Sequence, residues 1–286
     1  MSEQYPVQGA GLGLRRAFIG SLSDHVPEQI EFMEVAPENW IDVGGQFGRQ
    51  FHALTEKIPF VCHSLSLNIG GPAPLDEAFL RKVRQFLDRH SIRAYSEHLS
   101  YCGDDGHLYD LMPIPFTEAA VTYVAERIQR TQDIIGRPLV IENVSYYAAP
   151  GQEMDEAEFI NAVIEKADCQ LLLDVNNIYV NSINHGYDAE TFLRAMPAER
   201  IAYAHIAGHY EEAEDLRVDT HGSDVIEPVW DLLLTALKQL GPVPVLVERD
   251  FNFPPLEDLL GEVSRARQLQ RAVSGSGVDA EHAQAG

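Results

Sequence analysis

Six residues able to bind a metal stand at the ends of short apolar runs. His63 follows Phe60-Val61-Cys62, Glu142 follows Leu139-Val140-Ile141, Asp174 follows Leu171-Leu172-Leu173, His205 follows Ala202-Tyr203-Ala204, and Glu248 follows Val245-Leu246-Val247. His98, after Tyr95-Ser96-Glu97, completes the set, and the successive separations are 35, 44, 32, 31 and 43 residues. Each separation is about one strand-plus-helix unit of roughly 30 or more residues. Taken singly, each residue has an ordinary structural explanation. Three imidazoles and three carboxylates delivered to one place do not, because unpaired buried charge is costly without a compensating cation. A donor set of nitrogen and oxygen without sulfur suits iron, manganese or zinc.

The segment Asp219-Thr220-His221-Gly222 adds two more donors two residues apart. Eight ligands exceed the roughly four to six that one such ion uses, so two or three ions are implied, with Glu142 or Asp174 as the natural bridge. Glu211, Glu212 and Glu214 in the same loop read as a solvated acidic stretch. Asp250 is a candidate local base, against the alternative of an exposed loop carboxylate. Asn39, Asn143, Asn176, Asn177 and His209 fall where they could hydrogen-bond the ligands or the substrate, a support such sites need; asparagine is equally a turn former. Cys102 falls near the same rim, with a spectator thiol as the plainer reading, and Tyr101, Tyr146, Tyr147 and Tyr179 either line a groove or pack loops.

Bringing these residues together requires parallel strands. Strands are expected at 11–15, 31–36, 59–65, 93–99, 138–144, 169–175, 200–207 and 243–249, with helices at 18–28, 46–57, 75–90, 116–135, 155–166, 189–195, 226–240 and 256–271. Eightfold alternation with continuously apolar strands predicts a (β/α)8 TIM barrel, whose sites lie at the C-terminal ends of the strands. An open doubly wound sheet is disfavoured, since no GxGxxG turn follows the first strand. If His63, Glu142, Asp174, His205 and Glu248 point inward, then Cys62, Ile141, Leu173, Ala204 and Val247 face the helices. Residues 1–272 are expected to form one domain, and 273–286 a disordered tail.

The 21 basic and 44 acidic residues give a net charge of −23. Such a field repels phosphate backbones and anionic lipid, so neither nucleic acid nor a membrane is expected as a partner. Three cysteines without a CxxC pair favour neither a disulfide framework nor a thiolate zinc site, and a reducing cytoplasm is expected. The first ten residues lack a basic segment leading into an apolar run, so no secretion signal is expected.

Several segments together resemble a known family. They are Gly11-Leu12-Gly13-Leu14-Arg15, Glu34-Val35-Ala36-Pro37-Glu38-Asn39-Trp40, Ser96-Glu97-His98-Leu99-Ser100, Ile141-Glu142-Asn143, Leu173-Asp174-Val175-Asn176-Asn177 and His205-Ile206-Ala207-Gly208-His209. They look like the multinuclear non-haem iron-dependent oxidases, the family of the methanobactin-biosynthesis oxidase MbnB and of the bufferin-type enzymes. The likeness runs from about Gly9 to about Arg265. It implies a TIM barrel holding two or three irons cycling between Fe(II) and Fe(III), with ligands at His63, His98, Glu142, Asp174, His205, Asp219, His221 and Glu248. Dioxygen is implied as co-substrate, and a Cys-containing, ribosomally made precursor peptide as the molecule modified, to oxazolone with thioamide or to thiooxazole. A small partner protein that presents the peptide is implied as well. Two other readings remain: a divalent-metal barrel of the sugar-isomerase type, and a non-catalytic metal-binding partner in a peptide-maturation complex. An abasic-site endonuclease is weakened by the negative charge.

Overall fold

The computed structural model describes residues 5–104 and 106–283, with side chains outside the description at 107, 109 and 275–283. In chain order the elements are β1 (Ala10–Gly13), α1 (Ile19–Asp24), β2 (Phe32–Val35), α2 (Gly45–Thr55), β3 (Phe60–Ser64), α3 (Glu77–Arg89), β4 (Tyr95–His98), β5 (Tyr101–Gly103), β6 (His107–Met112), α4 (Glu118–Ile135) and β7 (Val140–Glu142). There follow α5 (Glu156–Ala167), β8 (Gln170–Asp174), α6 (Val175–His185), α7 (Ala189–Ala195), β9 (Ile201–Ile206), β10 (Tyr210–Ala213), β11 (Leu216–Val218), α8 (Glu227–Leu240), β12 (Val245–Val247) and α9 (Leu256–Ala283).

Strands β1, β2, β3, β4, β7, β8, β9 and β12 pair in parallel in that order, and β12 returns to β1 to close a (β/α)8 barrel. The alternation of side chains divides it into two cores. Cys62, Ile141, Leu173, Ala204 and Val247 join the large outer core beneath the helices, as expected. Inside, a plug contains Phe32, Val61, Ala94, Val140, Leu172, Tyr203 and Leu246. Two residues further along each strand, on the same face, stand Glu34, His63, Ser96, Glu142, Asp174, His205 and Glu248. The apolar plug is therefore the floor on which the polar residues rest. A bulge between β8 and β9 makes Leu171 face Ile201 while Leu172 faces Tyr203, and this register turns Tyr203 and His205 inward.

Beyond the expected elements, two antiparallel hairpins, β5–β6 and β10–β11, rise from the loops after β4 and β9. Helix α6 is the other addition. Its sequence begins Val-Asn-Asn-Ile, weak helix formers that read as a turn, but Asp174 caps it by accepting from the Asn177 N–H at 2.6 Å. The expected tail begins inside α9. Val273 packs partly against the outer core, and the side chains from 275 onward lie outside the described residues. Among the described residues no helix is long and apolar enough to cross a membrane.

The inner floor depends on a missing side chain. A Cβ on Gly11 would lie 2.7 Å from the Phe32 ring, too close for either to stay in place. Gly11→Ala should lower the unfolding free energy by about 1–3 kcal/mol through overpacking. Urea titration of metal-free protein measures it, and in the double variant with Phe32→Leu the cost should fall below the sum of the two single changes. Additive costs would place the strain elsewhere.

Candidate metal centre

Four overlapping groups of residues each offer ligand atoms within 4.8 Å of one another: His63, His98 and Glu142; Glu142, Asp174 and His205; Asp174, His221 and Glu248; and Glu34, His205 and Glu248. Glu142, Asp174, His205 and Glu248 each belong to two groups. In the first, Glu142 Oε2 lies 3.2 Å from His63 Nε2 and 3.3 Å from His98 Nε2, and the two imidazole nitrogens are 3.1 Å apart. His205 Nδ1 lies 2.9 Å from Glu248 Oε2, 3.7 Å from Glu142 Oε1 and 3.9 Å from Asp174 Oδ2. His221 Nδ1 is 3.2 Å from Glu248 Oε2.

The hydrogen bonds behind the cluster set which ring atoms face it. The Tyr203 hydroxyl donates to Glu34 Oε2 at 2.8 Å, so in the 2.7 Å contact between Tyr203 and Ser96 the serine is the donor. With its proton committed there, Ser96 Oγ must accept from His63 Nδ1 at 2.8 Å. His63 thus carries its proton on Nδ1 and turns the Nε2 lone pair toward Glu142. Glu97 does the same for His98, lying 3.1 Å from its Nδ1, and Glu34 for His205, lying 3.1 Å from its Nε2. Carboxylates and hydroxyls behind imidazoles in this way orient metal ligands and raise their basicity. The lone pairs therefore converge, and two of the converging atoms, Glu142 Oε2 and Asp174 Oδ2, are buried without a hydrogen-bond partner. The donor set and its unpaired atoms fit a cluster of cations.

Electrostatics agree. Burial opposes every charge here, yet His63 and His98 hold the Glu142 carboxyl down at about 2, and His205 and His221 hold Glu248 well below the usual range. Asp174, buried and facing Glu142, is pushed well above its ordinary value. Against burial, Glu142 and Glu97 raise His98 to about 9, Glu34 and Glu248 raise His205 strongly, and Asp219 and Glu248 do so for His221. Without cations, the cluster balances itself by taking up protons.

The structure thus gathers seven of the expected ligands, His63, His98, Glu142, Asp174, His205, His221 and Glu248, into these groups. Asp219 stands beside them, 2.7 Å from His221 Nε2, and accepts from Ser145 and Asn176. Asn143 exchanges two hydrogen bonds with the backbone of Asp174, Asn177 binds the Asp174 carboxylate and the Asn143 carbonyl, and Asn176 bridges His209 to Asp219. Asn39 departs from expectation: it is exposed and gives its carbonyl to Arg16, while its neighbour Glu38 reaches inward and ties down Ser64, Leu65 and Ser66 after β3. Asp250 pairs with Arg15 at 2.5 Å and lies 3.5 Å from His221, so both its oxygens already face charged neighbours. Burial pushes the Cys102 thiol up to about 11, so it stays protonated at the edge of the mouth. Sequence reasoning missed Glu34, Glu97, Ser96 and Tyr203. Glu34 was findable, since it follows the apolar pair Phe32-Met33 in the second run as Glu142 follows Leu139-Val140-Ile141 in the fifth.

Above the cluster opens a cavity of about 770 Å3, whose walls include Leu65, Tyr101, Leu108, Met112 and Tyr147. Tyr146 and Tyr179 lie away from it; Tyr146 stacks on His185 and Tyr179 lies against His209.

Residues 9–271 match the family described as RiPP precursor modification enzyme MbnB/TglH/ChrH, RiPP denoting a ribosomally made and then modified peptide. The chain belongs to this family. A UPF0276 protein of Shewanella loihica is 63% identical over 91% of this chain and 94% of its own, and one of Shewanella sediminis 60% identical over 96% and 97%. Among solved structures, a D-psicose 3-epimerase with D-fructose aligns at TM-score 0.58 and 12% identity over 94% of this chain and 97% of that one. Endonuclease IV from Thermus thermophilus aligns at 0.58 and 15% over 94% and 99%. At these identities the structural likeness speaks for the barrel alone. Membership in the RiPP family makes a precursor peptide the class of substrate.

Tyr203→Phe removes the donor to Glu34 and the acceptor for Ser96, and metal affinity, measured by anaerobic titration, should fall about 10- to 100-fold; unchanged affinity would mean that the chain of hydrogen bonds does not orient the ligands. Because His98, His205, His221 and Asp174 hold protons in the cation-free state, metal binding must displace them. Affinity should therefore rise with pH, His98 giving up its own proton near pH 9. Calorimetry in buffers of different ionisation enthalpy reads the released protons, and pH-independent binding would contradict the assignment.

Proposed function

We propose that the chain is a multinuclear non-haem iron oxidase that uses dioxygen to modify cysteine residues of a ribosomally made precursor peptide, giving oxazolone with thioamide, or thiooxazole. The observation that carries this reading is the set of four overlapping groups of largely buried imidazole and carboxylate atoms, with Glu142 Oε2 and Asp174 Oδ2 left without hydrogen-bond partners, at the floor of an open cavity. His63, His98, Glu142, Asp174, His205, His221 and Glu248 would hold two or three ions, with Asp219 completing the set at the rim. When bound, iron would supply Lewis acidity toward the peptide thiol and electrons to dioxygen.

The chain's own residues do the rest. Shared carboxylates suit closely spaced ions, since Glu142 and Asp174 each face two groups. Glu97, Ser96 and Glu34 keep the imidazole protons on the far side of the rings. The apolar wall of Leu65, Leu108 and Met112 suits an extended peptide segment and removes water from around its thiol. Asp250, tied to Arg15, holds its second oxygen beside His221 and is its electrostatic support. The reading includes a small partner protein that presents the peptide, and a reducing cytoplasm, with which three free cysteines accord.

The test is to load the purified protein with Fe(II) without oxygen, then admit oxygen together with a Cys-containing precursor peptide and its partner. Mass spectrometry should show a modified peptide, lost when the peptide cysteines are replaced by serine, and Glu142→Ala or Asp174→Ala should lower the iron content. Bound iron with an unchanged peptide mass would leave a non-catalytic metal-binding partner. Colourless protein holding only magnesium or zinc, without oxygen uptake, would move the assignment to the isomerase type.

A further inference from the structure

Apart from the barrel mouth, a second cavity of about 640 Å3 opens between α5 and the α6–α7 corner. Two pairs of stacked rings border it: Tyr146 on His185, centroids 4.0 Å apart, and Tyr187 on Phe192, 5.3 Å apart. Glu156, the first residue of α5, is 8% exposed and faces this space. Its Oε1 accepts from Asn181 at 3.2 Å; the Tyr146 and Tyr187 hydroxyls stand near enough to favour its charged form, but neither its Oε2 nor the Tyr187 hydroxyl completes a hydrogen bond.

The other carboxylates in the wall are already committed. Asp155 caps α5, Asp188 caps α7, and Glu153 accepts from the Glu118 N–H. Neither Lys nor Arg contributes to the wall. A buried carboxylate with a free oxygen, set among aromatic faces and opposed by no cation, is the chemistry that recognises an organic cation rather than a hydrated metal ion. We propose that this cavity binds an alkylammonium group, with Glu156 as the counter-ion and the rings of Tyr146, Tyr187 and Phe192 around the methylenes.

This site stands independently of the iron reading. It adjoins the mouth through Asn181, which binds Glu156, the Val144 carbonyl and the Tyr146 N–H, while the next residues, Ser145 and Tyr147, bind Asp219. An occupant would therefore brace the loop after β7 from behind. The alkylammonium could come from a free amine or from a lysine of the peptide.

The titration of the site has a defined sign. Burial pushes Glu156 up to about 8, with Asp155 adding to the rise and the hydroxyls of Tyr146 and Tyr187 and the amide of Asn181 opposing it. His185, Asp188 and Glu153 are the remaining titratable groups of the wall. Near neutral pH the carboxyl is protonated, so a cation must displace that proton. Binding should tighten by up to about tenfold per unit as pH rises toward 8, then level off.

The probes are n-butylammonium chloride, spermidine and a short lysine-containing peptide, titrated calorimetrically into the full-length protein at fixed ionic strength with KCl and MgCl2 as controls. Saturable binding that weakens at least tenfold in Glu156→Gln and tightens with pH supports the site, and the tighter of amine and peptide identifies the source. Heats that KCl or MgCl2 reproduce, or equal binding by Glu156→Gln, would overturn it. Should that variant fail to fold, the pH profile of the unaltered protein decides, and a flat profile overturns the proposal.

Discussion

Donor atoms bearing lone pairs have been brought closer together than they can stand unaided, and the molecule is arranged around that constraint. His63 Nε2, His98 Nε2 and Glu142 Oε2 sit 3.1–3.3 Å from one another with their protons elsewhere or in dispute. A buried carboxylate oxygen left unpaired, as Asp174 Oδ2 is, costs about 1–3 kcal/mol, a sizeable part of the roughly 5–15 kcal/mol by which a domain is stable. Protons relieve the crowding incompletely, as the raised His98, His205 and Asp174 values display. Multivalent cations are the chemistry that would relieve it.

Only a stiff frame can hold such a cluster. The barrel supplies one by giving six of its eight strands the same two-residue step, a floor side chain and a ligand above it: Phe32 then Glu34, Val61 then His63, Val140 then Glu142, Leu172 then Asp174, Tyr203 then His205, Leu246 then Glu248. Tyr203 does both tasks. Its ring belongs to the floor, where it meets Phe32 edge-on, and its hydroxyl continues the chain of hydrogen bonds from His63 through Ser96 to Glu34. Packing and ligand orientation are thereby joined in a single side chain.

The barrel and most of the cluster were legible because both follow from periodicity. Apolar runs ending in His, Asp or Glu at one-unit intervals fix fold and site together, without any long-range information. What escaped depends on pairing across strands. Ser96 and Tyr203 are 107 residues apart and meet only when the barrel closes, and the bulge that turns Tyr203 inward leaves no mark in the sequence. Glu97 was hidden by its neighbour His98. Asn39 misled because a short 3-10 turn, Pro37–Asn39, rotates Glu38 rather than Asn39 toward β3. Helix α6 was hidden by weak propensity, which one side-chain cap from Asp174 overcomes.

That cap also links structure to chemistry at a second level. Asp174 spends Oδ1 on starting α6 and leaves Oδ2 for the cluster. The helix it starts carries Asn176 to Asp219, Asn177 to the Asn143 carbonyl and, one turn on, Asn181 to the loop that holds Ser145 and Tyr147. One helix thus borders both cavities: Asn177, near its start, lines the barrel mouth, and His185, at its end, lines the aromatic cavity.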